Sequence, residues 1–221
     1  MQHSPIVLQF PTVPAPFAPP PSSRTLTQRL NEDAGFLHAY LRDGLNLIEP
    51  FRTRAHYAGF LTVQYHMLCD VRRLYADEDI WRVIPDPGLA DPPRASRIEA
   101  DLRDLGAWPL KVTPAPASSG LGLMEALGWL HTAEGLMLSL HMVAQAQDLG
   151  VQLGLSEAHG GRHLLSPVDG RTRAWRSLAK ALDSSRFSQE QGTEFVAGAS
   201  LAYHRFDELL SLALRPRTAN A

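Results

Sequence analysis

The chain of 221 residues has one cysteine, Cys69, so it forms no intramolecular disulfide and offers no CxxC or zinc-ligand spacing. That usage fits a reducing compartment, and the apolar context YHMLCDV reads Cys69 as a buried small hydrophobe. Long apolar runs are also missing, since nothing approaches the roughly 18 residues of a membrane span. The N-terminus lacks the basic-then-apolar order of a secretory signal, so the expectation is a soluble, cytoplasmic protein with no membrane partner. Charge of one sign is scarce: a formal net charge of −2 and a pI near 6.5 leave no electrostatic case for nucleic acid. There is no Gly-rich phosphate loop, no GxSxG, no βαβ alternation and no repeat of fixed period. No segment carries a defensible strand pattern. What remains is an all-α class, with helices packed around one core, in a chain long enough for one full-sized domain and short for two.

Proline is abundant but uneven. Seven of the 17 prolines fall in residues 1–22, which cannot sustain a helix and read as an extended, disordered arm. The helical domain is expected over 23–215, with 216–221 as a tail. Its first helix, Leu26 to Phe51, carries Leu26, Leu30, Ala34, Leu37, Leu41, Leu45 and Ile48 at spacings of four and three, one stripe that faces the core. His38 stands about 100° round from the stripe, almost directly above Asn31, seven residues earlier. Asn31, Gly35 and His38 thus make a second, narrower face. There the missing side chain of Gly35 leaves room for a flat ligand to meet an imidazole nitrogen. A lone helical histidine also reads as a boundary residue reaching solvent, and the residues alone leave both readings open.

Residues 53–76 form a packing helix through Tyr57, Phe60, Leu61, Tyr65, Leu68, Val71, Leu74 and Tyr75, with His56 and His66 as surface or supporting groups. The prolines of 84–93 break it. A short helix follows on Ile98, Leu102 and Leu105 and ends at Gly106. From Leu121 to Leu149 the pattern is one long apolar helix, with Leu127, Leu130, Leu138 and Met142 supplying packing and Gly128, Thr132, Gly135 and Ser139 lining one face. Helical glycine costs roughly 0.5–1 kcal/mol against alanine, which calls for close helix packing or a ligand pressed against the backbone. A loop-rich stretch from Gly150 to Gly170 contains His163, read as a structural hydrogen-bonding residue. A helix at 171–182 turns Trp175 and Leu178 inward. The capping box Ser188/Gln191 opens the last helix, carrying Phe195, Leu201, Phe206, Leu209 and Leu212.

The order RLN, a histidine seven residues after the Asn and a Pro-Phe pair closing the helix resembles the proximal helix of bacterial heme oxygenases of the pseudomonad and bacteriophytochrome-associated type. The blocks FLTVQYHML, GWLHTAEG, GGRHLL and RAWRSLAKALD extend the resemblance over residues 26–212. It implies a single-domain heme oxygenase-like helical fold with heme sandwiched between a proximal and a distal helix. His38 falls on the axial iron ligand and Asn31 on the neighbouring asparagine. Gly135 and Ser139 fall on the catalytic distal wall, with Gly35 and His131 in the cofactor-binding set. Heme would be both substrate and cofactor, cleaved with dioxygen to biliverdin, carbon monoxide and ferrous iron. An external donor such as ferredoxin or a flavoprotein reductase would supply the electrons, and a bacteriophytochrome is a candidate recipient of the pigment.

The chain departs from the family pattern at several places. Leu136 replaces a small polar residue, Ser139 the second distal glycine, and His131 a Tyr or Phe. Asn46 and Ala146 stand where relatives carry lysines for the heme propionates. At least one of Arg171, Arg173 and Arg205 is then expected to hold the propionates, with Arg205 preferred because Tyr203 and Phe206 beside it match an aromatic-basic block of the family. A non-catalytic heme sensor or carrier, with His131 or His141 closing the sixth iron position, is the competing reading. A non-heme metal oxygenase is a third, resting only on the reversed His131-x-x-Glu134 spacing.

Overall fold

A computed structural model describes residues 24–90, 93–108, 115–146, 148–165 and 169–214, apart from the side chains of 46, 47, 146, 169 and 214; the proline-rich stretch 1–22 and the tail 216–221 lie outside it. The described residues are all-α: α1 (Leu26–Ile48), α2 (Arg54–Val71) running into a 3-10 turn (Arg72–Ala76), α3 (Glu78–Val83), α4 (Pro93–Asp104), α5 (Leu123–Ala146), α6 (Leu149–Leu153), α7 (Arg162–Leu165), α8 (Asp169–Ser184) and α9 (Gln189–Leu214). Extended pairing among them is limited to isolated bridges at Ser156.

Local chemistry starts and stops these helices. Thr25 caps α1 through a reciprocal box with Gln28, and Thr53 caps α2 at His56 N. Ser188 and Gln191 form the expected box at α9, with backbone-to-side-chain bonds of 2.8 and 3.1 Å. Such a cap contributes about 1 kcal/mol. Gly106 follows α4 at φ +68°, a left-handed conformation that glycine adopts without steric cost.

The core is built on α9. Both α5 and α1 pack against it, and α2 closes its other side. Phe60, Phe195 and Phe206 are fully buried, each contributing roughly 1.5–3 kcal/mol. The α5–α9 crossing is close because glycines meet there: a Cβ on Gly128 would lie 1.9 Å from the Phe195 carbonyl oxygen, and one on Gly198 1.9 Å from that of Glu125. Gly128 therefore serves helix packing. By contrast α1 and α5 scarcely touch each other, and a slot opens between them.

Several expectations change. The long helix ends at Ala146, and Asp148, at φ +49°, redirects the chain into α6. A separate six-residue helix, α3, follows the α2 segment, started by the Asp77 carboxylate accepting from Asp79 N. Cys69 is half-buried rather than buried. Met142, Leu201 and Leu212 are exposed, because α5 and α9 turn those faces outward.

Candidate functional site

The slot has two lobes, of about 560 and 340 Å³, which share His38, Leu136 and Ser139 in their walls. Cavities of this size suit a small-molecule ligand. The α1 wall runs Asn31, Gly35, His38, Arg42 and Leu45, at alternating spacings of four and three. A stripe of one helix face therefore lines the whole length. The α5 wall is Thr132, Gly135, Leu136, Ser139 and Val143, again one face. Trp175 of α8 and Tyr203 of α9 line the smaller lobe. The larger is closed by Phe51, Arg52 and Gln152.

His38 stands in the middle of the α1 wall, exposed to the slot, and bonds to no described residue; its ring meets only the edge of Tyr203, with centroids 6.4 Å apart. A Cβ added at Gly35 would meet nothing within 4 Å, so the space beside the imidazole is open. Gly135 differs: its missing Cβ makes room for Trp175, whose Nε1 would be 3.2 Å away and which donates to the His131 carbonyl at 3.2 Å. His131 and Thr132 line the smaller lobe and are 6% and 3% exposed. Neither His131 nitrogen, nor the Thr132 hydroxyl, has a hydrogen-bond partner among the described residues. Buried between Trp175 and Phe195, the His131 imidazole is pushed down to about 4 by desolvation and is therefore neutral at pH 7. Buried polar atoms without partners are uncommon enough to mark a place where a ligand or water completes the bonding.

Behind α5 lies a buried ionic network. Arg94 holds Glu134 with a fork of 2.7 and 3.1 Å, Tyr75 donates to the same carboxylate, and Arg171 approaches it at 3.5 Å. Burial alone would raise the Glu134 carboxyl, but the arginines and the tyrosine outweigh it and hold it at about 2. His163 bonds Gln64 at 2.7 Å and is anchored through its backbone to Asp101, which fits its expected structural part.

Comparison with known proteins points the same way. No family model matches the chain. It is 35% identical to the heme oxygenase PigA of Pseudomonas aeruginosa over 184 residues, covering 83% of this chain and 90% of that protein. Its fold is similar to that of the heme oxygenase from Neisseria meningitidis, solved with NO and CO bound, at a TM-score of 0.69 and 28% identity over 89% of this chain and 95% of that one. The chain belongs to the heme oxygenase family.

Of the residues expected from sequence to serve a heme oxygenase site, Asn31, Gly35, His38, His131, Gly135 and Ser139 all line the one slot. Arg205 does not. Its guanidinium is spent on Asp70 at 2.8 Å and Glu208 at 2.8 Å, in the α2–α9 contact. Arg171 is bound into the Glu134 network, and His141 lies beside it with its Nδ1 3.4 Å from the guanidinium; neither lines the slot. Arg173 is exposed on α8, and the side chains of Asn46 and Ala146 lie outside the described set. The arginines on the slot wall are instead Arg42 and Arg52. Arg42 was legible, four residues after His38 on the same face. Arg52, Trp175 and Tyr203 reach the slot only through tertiary packing.

Proposed function

We propose that the slot binds heme as substrate and cofactor together, and that the chain cleaves it oxidatively to biliverdin, carbon monoxide and ferrous iron with dioxygen and an external electron donor. The observation that carries this reading is His38, an imidazole without a described hydrogen-bond partner on one wall of a slot whose other wall is the glycine-bearing helix α5. The donor set fits the group. A histidine is an ordinary axial ligand of heme iron, apolar side chains flank it, and orphaned buried polar atoms stand at one end. When bound, heme supplies the iron redox chemistry and the oxidisable porphyrin.

The chain's own groups then divide the work. His38 would hold the iron from α1, beside the open space that Gly35 leaves in the wall. On the other side Gly135 keeps the α5 backbone close, while Leu136, Leu140 and Val143 exclude water. The Ser139 hydroxyl, exposed to the slot, would donate or accept a hydrogen bond there. Neutral His131, with Thr132 and Asn31, bonds polar groups at the inner end. Arg42 and Arg52, held among the described residues only in exposed pairs with Asp43 at 3.3 Å and Glu49 at 3.1 Å, are the slot-wall cations that would turn to the carboxylates of the heme edge in place of Arg205. A ferredoxin or flavoprotein reductase as donor, a cytoplasmic setting and a bacteriophytochrome as recipient of the pigment belong to the same proposal.

Titration with ferric heme should saturate at one equivalent, and a reductant in air should then convert the heme spectrum to that of a bilin. A complex that stays intact under turnover conditions would sink the catalytic reading. In His38→Ala the iron–imidazole stretch in resonance Raman should disappear, and its survival would remove His38 from the axial role.

A further inference from the structure

Beside the slot, across the hydrogen bonds from Thr27 to Asp183, lies a separate cavity of about 280 Å³, between the N-termini of α1 and α9 and the C-terminus of α8. Its charge is arranged against stability. Arg29 in its wall is 4% exposed, and its Nη1 and Nη2 donate to the Gln189 carbonyl at 2.7 Å and the Thr193 hydroxyl at 3.0 Å. Its Nε has no partner, and no described carboxylate pairs with it. Gly192 makes this position possible, since a Cβ there would lie 2.2 Å from Nη1.

A buried guanidinium without a counter-ion is costly. Placing it against the first turn of α9, a 26-residue helix, adds a second cost, because the positive end of the helix dipole favours an anion there. Two further arginines line the cavity. Arg186 is exposed and bonds to no described residue, while Arg24 reaches Glu32 at 2.5 Å in an exposed pair worth only about 0–1 kcal/mol. The wall also holds one carboxylate, Asp183, whose two oxygens accept from the backbone and hydroxyl of Thr27 at 3.0 and 2.5 Å and which keeps its charge, so three arginines face one acid. Glu190, in the first turn of α9, is exposed and off the cavity wall.

We propose that this cavity binds a phosphate-class oxyanion, gripped by the guanidinium forks of Arg24 and Arg186 over the buried charge of Arg29. Arginine forks match tetrahedral oxyanions, and the positive ends of α1 and α9 add to their field against the negative end of α8, whose last residues Asp183 and Ser184 also line the cavity. The volume is that of about nine waters in the liquid, which leaves room for more than one phosphate.

The test is calorimetric titration of the full chain, free and loaded with ferric heme, with inorganic phosphate, pyrophosphate and ADP, each against potassium chloride at matched ionic strength. Pyrophosphate should bind one to one in both forms, because no described residue lines both the cavity and the slot. In Arg24→Gln/Arg186→Gln, whose altered side chains are exposed and leave the core untouched, affinity should fall at least tenfold while melting temperature without ligand stays the same. Equal affinity for pyrophosphate and ADP would assign the site to free phosphates, and tighter ADP to a nucleotide. No binding beyond the chloride control, unchanged affinity in the double variant, or loss of binding on heme loading would each overturn the proposal. None of these outcomes depends on whether the protein turns heme over.

Discussion

Glycine acts in three ways in this protein, and single substitutions separate them. Gly35 faces open space, so Gly35→Leu should fold and even gain about 0.5–1 kcal/mol from helix propensity. The added side chain enters the slot, and heme affinity should drop at least tenfold; unchanged affinity with a raised melting temperature would show that the slot is not where heme binds. Gly135 is a less clean probe, because any side chain there first presses on Trp175 and its bond to the His131 carbonyl. His131 itself makes stability depend on pH. Its folded value of about 4 lies below the ordinary histidine value of 6.5, so the unfolded chain takes up the proton first. The stability is complete above about pH 6.5 and is lost as pH falls toward 4. His131→Phe should remove up to about 3 kcal/mol of that decline, measured by denaturant unfolding at pH 7 and pH 4.5.

At the scale of elements, the slot exists because α1 and α5 share a partner and not each other. Both rest on α9, and the Gly128 and Gly198 crossing draws α5 down onto it. A methyl group on Gly128 would need the Phe195 carbonyl to move, which the rigid α9 backbone resists. Gly128→Ala should therefore cost about 1–3 kcal/mol or more. Calorimetric melting of Gly128→Ala beside Gly35→Ala tests the assignment, since the same change at Gly35 should be neutral or stabilising.

Across the whole molecule, the buried Arg94, Glu134, Tyr75 and Arg171 cluster ties the α4 and α8 regions to the back of α5. Glu134→Gln would leave the buried Arg94 and the half-buried Arg171 short of their counter-ion, a loss of about 3–5 kcal/mol. Because the carboxyl is held at about 2, below the ordinary glutamate value of 4.5, its stabilisation is complete above pH 4.5 and is lost as pH falls toward 2. The acid limb of the wild-type unfolding curve below pH 4.5 should be flatter in Glu134→Gln. An equally steep limb in the variant would place that acid sensitivity in other carboxyl groups.

Periodicity, caps and breakers act within a few residues, which is why the helices and the face carrying Asn31, Gly35 and His38 were legible before any contact was known. The small-residue face of α5 was legible too, but its division was not: Gly128 packs on α9 while Thr132, Gly135 and Ser139 line the slot. Apart from Arg42 on the slot face, the destinations of the charged side chains were not legible. Arg205 finds Asp70 across 135 positions, Arg29 finds Thr193 across 164, and Arg94 finds Glu134 across 40. Helical period places a side chain on a face of its own helix, but a long cation takes whichever carboxylate or carbonyl is buried within its reach. Only the packing of distant helices decides which one that is.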